Sequence, residues 1–244
     1  MSTGAPRRLQ EIMYYDSAQK YLRSLPLEHF MEATAQATQR KITLESLDLV
    51  HARRPDFQVF NELLVQYPLK GGRIGKIVPD NMVVLWKEPI QADGSYDVPF
   101  QPIGPHWVLE YVSKSTKRKD YVKSFDKYEK HLKVPYYLLF YPDTQDLTLF
   151  RHNGHKYISV PPNDQERHPL QDLDLEVGLL DEWVRYWFKG ELLPLPGDMQ
   201  RDLDAARQQL AMERQRAERE QQRAEAAERE LERLKAQLAQ KPPT

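Results

Sequence analysis

Two acids stand apart from their surroundings. Glu110 lies inside WVLEYV (107–112), where every neighbour is apolar, and Asp80 follows a proline and opens onto the apolar run NMVVLW. An ionised carboxylate in an apolar strand is costly unless it is paired or bound to a cation. Two readings of Glu110 stand side by side. In one it closes a local hydrogen-bond network on a half-covered strand. In the other it meets a second acid around a metal, and Pro79-Asp80 offers that acid at the end of a neighbouring strand. The chain between them, which includes ADGSYD, is long enough to loop and lay the two strands together. Two carboxylates converging in this way are oxygen ligands suited to Mg2+ or Mn2+.

A basic stretch follows directly. Residues 114–133 hold eight Lys and Arg against three Asp and Glu, in a chain whose net charge is −1. Beside a metal site such a patch suits a phosphate backbone; by itself it is equally a solvated helix face. The near-zero overall charge excludes a general polyelectrolyte binder. With no cysteine there is neither a disulfide framework nor a thiolate metal site, which fits a reducing cytoplasm. The seven histidines show no ligand spacing, and His152 and His155 are expected at the surface beside a hairpin tip. Ser113 and Ser115 read as turn or capping hydroxyls rather than nucleophiles. Glu62, in VFNELLVQYP, is either an additional acid of the site or a strand-end surface residue. Pro55-Asp56 reads as a turn.

These residues need elements to hold them. Residues 1–50 are polar and helical in pattern, with Pro26 near a helix start. From Pro55 onward, short β-branched and aromatic runs alternate with Pro, Gly, Asn and Asp: FQVF, IVPDNMVVLW, WVLEYV, YYLLFY, LTLFRH and KYISV. One helix interrupts them, with Tyr121, Phe125, Tyr128 and Leu132 as its core face. Hairpins are expected at PDTQD and at Asn153-Gly154. The stretch from Leu173 to Leu195 is strand-like at first and ambiguous at 183–188. Three segments result: an N-terminal helical one (1–50), a mixed α/β domain (51–197) and a helical tail (198–244).

The tail has no Gly or Pro between 201 and 240. Leu203, Leu210, Ala217, Ala224, Leu231 and Leu238 repeat every seven residues, the coiled-coil period. The second seam is poorer: Ala206, Glu213, Glu220, Ala227 and Leu234. A weakly self-associating coil and a single solvated helix both fit, and charge is balanced at ten basic against nine acidic residues over 201–244. The beginning of the chain lacks the apolar core of a signal peptide, and no apolar run is long enough to span a membrane.

Pro79-Asp80, an apolar strand, then Glu110-Tyr111-Val112-Ser113-Lys114-Ser115-Thr116, Asp120, a basic helix ending at Tyr128, and VPYYLLFYP together resemble the Uma-type family of restriction endonucleases, in the PD-(D/E)XK nuclease superfamily. The likeness covers residues 50 to 195. It implies a mixed α/β fold, a restriction-endonuclease-like mixed β-sheet flanked by helices and here followed by a coiled-coil helix. It also implies metal held by Asp80, Glu110 and the backbone carbonyl of Tyr111. The superfamily's lysine would stand at position 112, which is Val112 here. Relatives carry it instead on the following helix, where this chain has Ser124. With the core face fixed at 100° per residue, Lys127 shares the flank of Ser124 while Lys123 points away from the core. Lys127, Lys123 and no lysine at all remain open as the site's cation.

Such a lysine would orient the attacking water and stabilise charge on the phosphate. The reading that results is a Mg2+- or Mn2+-dependent endonuclease acting on DNA in the cytoplasm, as a homodimer through its tail. The alternative is a non-catalytic DNA-binding or scaffolding protein that keeps the fold and recruits partners through the coil.

Overall fold

The computed structural model describes residues 7–25, 34–112 and 118–239. Two units are present, one ending at Leu193 and one beginning at Pro194. In the first, helices α1 (Arg7–Ser24) and α2 (Thr34–Arg53) precede three sheets. The expected helix start at Pro26 lies outside the described residues. The strands are β1 (Phe57–Asn61), β2 (Leu64–Pro68), β3 (Ile74–Ile77), β4 (Asn81–Leu85), β5 (Ser95–Asp97) and β6 (Trp107–Tyr111), then β7 (Tyr136–Tyr141), β8 (Asp146–His152) and β9 (Tyr157–Val160). The last four are β10 (Arg167–Leu170), β11 (Leu175–Leu180), β12 (Trp183–Phe188) and β13 (Glu191–Leu192).

The main sheet has six strands in the order β1-β4-β6-β7-β8-β9. β6 is internal, antiparallel to β4 and parallel to β7, so both its edges are paired, and an apolar cluster covers each of its faces. That accounts for its unbroken apolar run. Trp107, Leu109 and Tyr111 join Leu47 and Val50 of α2 with Val177, Val184 and Tyr186 of β11 and β12. Val108, one residue out of phase, packs on the opposite face with Met82, Val84, Tyr128, Tyr137 and Leu139. A parallel pair needs a crossover, and this one carries α3 (Arg118–Asp126).

α3 runs on into a π-helical turn, Lys127–Leu132, which ends where Lys133 adopts φ 50°. Tyr128 is buried there, with Phe125 and Leu132 partly so. The expected core face forms at Phe125, Tyr128 and Leu132, the Tyr121 side chain lying outside the described residues, but the spacing of 100° per residue does not hold past Asp126.

Both expected hairpins close. β7 and β8 pair out to Tyr141 and Asp146, and β8 and β9 to His152 and Tyr157. At the second tip Asn153 Oδ1 accepts the N–H groups of His155 and Lys156, each at 3.0 Å. His155 is exposed there. His152 is not the surface residue expected: half-buried, it sets Nε2 3.1 Å from the Glu129 carbonyl and its ring edge-on to Tyr157. The ambiguous stretch resolves as β12, joined to β11 by Asp181 and Glu182, both at positive φ (52° and 66°). That is a two-residue hairpin turn built without glycine.

The second unit contains α4 (Pro196–Ala239), 44 residues long and about 66 Å at the usual rise. Asp198 caps its start by accepting the Leu195 N–H at 3.0 Å. Leu203, Leu210 and Leu231 are about half exposed, at 46%, 50% and 52%. Among the described residues, no helix is long and apolar enough to cross a membrane.

Candidate active site

Strand register brings the acids together. Asn61 pairs with Asn81, and Asn81 with Leu109. One step further along these antiparallel strands sets Glu62, Asp80 and Glu110 in a row across the end of the sheet. Two backbone bonds fix the row: Glu62 N–H donates to the Asp80 carbonyl at 3.2 Å, and Tyr111 N–H to Asp80 Oδ2 at 2.7 Å. Glu110 is out of phase with Leu109 and so lies on the face that carries Tyr128. The Tyr128 hydroxyl donates to Glu110 Oε1 at 2.6 Å. Asp80 and Glu110 are both half-buried rather than sealed.

The pair titrates abnormally. Desolvation, then the charge of Asp80, pushes the Glu110 carboxyl well above its ordinary range. Desolvation also raises Asp80, with the charge of Glu62 adding to it, opposed by the Tyr111 N–H and by the positive charge of Arg40. Burial and the like charge of Asp80 thus both favour keeping a proton on Glu110. Two acids held side by side in a partly open position at a sheet end are candidates for binding a cation.

The donor set indicates which kind. Among the described residues, no group of three or more His, Cys, Asp or Glu side chains converges to hold a metal. Two carboxylates without His or Cys fit a hard divalent ion that keeps several waters, such as Mg2+ or Mn2+, better than zinc. Asp80, Glu110 and the Tyr111 carbonyl are the groups that would hold it.

The remaining expected residues fall as follows. Lys127 is half-buried, and its ammonium donates to the Lys76 carbonyl of β3 at 2.8 Å. Lys123 is exposed and Ser124 half-buried. Val112 packs with the apolar cluster around Tyr137, and Ser113 lies outside the described residues. Glu62 is exposed at the end of the acid row, where it pairs with Arg40 of α2 at 2.9 Å. Its backbone holds φ 48°, a conformation that costs a side-chain-bearing residue about 1 kcal/mol or more.

Sequence reasoning did not find the support behind the row. Tyr111 hydroxyl donates to Asn81 Oδ1 at 3.1 Å and lies 2.6 Å from Thr43 Oγ1, which lies 2.8 Å from the Tyr186 hydroxyl. With Tyr111 donating to Asn81, Thr43 must donate to Tyr111 and accept from Tyr186. This buried relay ties α2 and β12 to the strands that bear the acids. Gln39 adds a two-point clamp on Val184, accepting its N–H at 2.8 Å and donating to its carbonyl at 3.0 Å. Thr43→Val would leave two buried phenols short of a partner and should cost about 1–3 kcal/mol in urea denaturation. No periodicity marks such a chain, because Thr43 and Tyr186 are 143 residues apart.

Comparison with known proteins places these features in a family. A model of the Uma2 family, described as "Putative restriction endonuclease", matches residues 31–181. The match takes in α2, which the sequence resemblance left outside, and it spans both acids. A crystal structure described as "a putative nuclease belonging to DUF820", from Anabaena variabilis, is similar at 19% identity and a TM-score of 0.44, covering 59% of this chain and 75% of that one. No curated protein matches. The family model covers well over half of the sequence, acid row and supporting helix included, and the chain belongs to the Uma2 family of putative restriction endonucleases.

Proposed function

We propose that the protein is a Mg2+- or Mn2+-dependent endonuclease that hydrolyses DNA phosphodiester bonds at Asp80 and Glu110. The observation that carries this reading is the convergence of two half-buried carboxyls, fixed by strand register and by the Tyr111 N–H and Tyr128 hydroxyl, at the end of the main sheet. A divalent ion bound between them would relieve their mutual repulsion. That ion would supply charge neutralisation at the phosphate and a more acidic water. The chain's own residues do the rest. The Tyr111 N–H and the Tyr128 hydroxyl each fix one oxygen of the pair and leave the others free to bind. The basic stretch 114–133 engages the DNA backbone. Lys127 is the favoured lysine for orienting water and phosphate, with Lys123 second.

Lys127→Ala should then abolish cleavage while calorimetric Mn2+ binding survives, and Lys123→Ala should be mild. The reverse ranking would make Lys123 the working lysine. A second reading has two observations in its favour: the Lys127 ammonium is engaged by a backbone carbonyl, and the superfamily's lysine position holds Val112. On that reading the protein binds DNA without cutting it and acts as a scaffold through α4. Mn2+ binding and duplex binding without any cleavage would favour it.

A further inference from the structure

The site has a cation that comes from neither the basic stretch nor the lysine positions considered above. We propose that Arg40 of α2 contacts the DNA phosphate at the Asp80–Glu110 site, from the side opposite α3. This rests on the nuclease reading, and it gives the N-terminal helix a direct part in the reaction.

Two observations support it. The first is the tether. Arg40 is paired at 2.9 Å with Glu62, whose N–H is bonded to the Asp80 carbonyl, so the guanidinium is held at the end of the acid row. Glu62 keeps this place at positive φ, where glycine would sit without strain, so the position retains its side chain against backbone preference. The second is rigidity. Gln39, the adjacent residue, is clamped to Val184 at two points, and Thr43, one turn on, is bonded within the relay to Tyr111, the residue after Glu110. Arg40 is therefore carried on a helix locked to the acid-bearing strand.

Arginine suits the role. Its planar, pre-organised guanidinium matches the geometry of phosphate oxygens, which a lysine does less well. It cannot serve as a base, so its part is to bind and stabilise charge. Arg40 keeps 22% of its side chain accessible, enough for such a contact.

The test uses the full chain, with Arg40→Ala and Arg40→Lys. Binding of a short labelled duplex is titrated against salt with Ca2+ in place of Mg2+. Cleavage is followed with Mg2+, Mn2+ affinity by calorimetry, and folding by thermal melting. For Arg40→Ala we expect the slope of log K against log salt to fall by about one. We also expect cleavage to slow by about a hundredfold or more. Mn2+ affinity should stay the same or tighten, because a positive charge beside the metal has been removed. Arg40→Lys should keep the native slope and recover part of the rate. An unchanged slope and rate in Arg40→Ala would overturn the proposal. So would a joint loss of Mn2+ affinity and melting temperature, which is what a merely structural ion pair would give. If the native protein cleaves nothing, the nuclease reading fails, and the salt slope still decides whether Arg40 meets a phosphate.

Discussion

Glu110→Gln is expected to lower Mn2+ affinity by about a hundredfold and to abolish measurable DNA cleavage, yet to leave the metal-free protein more stable near neutral pH. The two effects have one cause. Glutamine matches the shape of the protonated Glu110 and can still meet Tyr128 and Asp80, but it carries no charge to bring to a metal. In the native chain both carboxyls have folded-state pKa values raised above their ordinary ones, 4.5 for Glu110 and 3.8 for Asp80. A raised folded pKa contributes stability that is complete below the unfolded value and is lost as pH rises through the folded value. The pair therefore stabilises the metal-free protein in acid and destabilises it as pH rises and the carboxyls ionise. Denaturation followed upward from the ordinary carboxylate range should show that decline in native protein. It should be largely removed by saturating Mg2+ and largely absent from Glu110→Gln. A native pH profile as flat as that of the variant would mean that the two acids are not coupled.

The second large effect concerns assembly. Cutting both strands of a duplex needs two sites, and a two-fold dimer supplies them. α4 offers the seam: Leu203, Leu210 and Leu231 are exposed at seven-residue multiples along it. The apolar clusters that build the first unit lie wholly upstream of Pro194. Removing everything after Leu195 should thus leave a folded monomer, whereas the full chain should sediment as a dimer at micromolar concentration. Glu213 and Glu220 fall on the seam's second row and oppose association, so replacing both with Leu should tighten the dimer by about tenfold or more. Full-length monomers would make α4 a solvated helix or a docking element for another protein. A truncated dimer would place the interface in the first unit.

Much of this arrangement was legible in the sequence, and the legible parts share a property. A lone acid in an apolar run, a Pro-Asp at a strand start, period-two alternation and turn residues at hairpin tips are all local signals. Each constrains its element without knowledge of the rest. Adjacency of β4 and β6 followed from the chemistry demanded of their acids. What escaped was non-local or broke a local rule. The Asp181-Glu182 turn did not resolve the ambiguity at 183–188, because its second position holds Glu where such a hairpin ordinarily has Gly. The π-helical turn shifts Lys127 off the helical wheel that selected it. Tyr128 reads as core by its spacing, and only the fold shows its hydroxyl reaching Glu110. Arg40 was one polar residue in a polar helix, its relation to Asp80 set by packing across the sheet.

The central claim is that Asp80 and Glu110 hold a divalent ion that cleaves DNA, and supercoiled plasmid tests it most directly. The full-length protein is incubated with plasmid and Mg2+, beside Asp80→Asn prepared identically and beside native protein with excess EDTA. Nicked and linear plasmid should form with the native protein alone, and the two controls should leave the plasmid supercoiled. Cleavage by Asp80→Asn at the native rate would contradict the account.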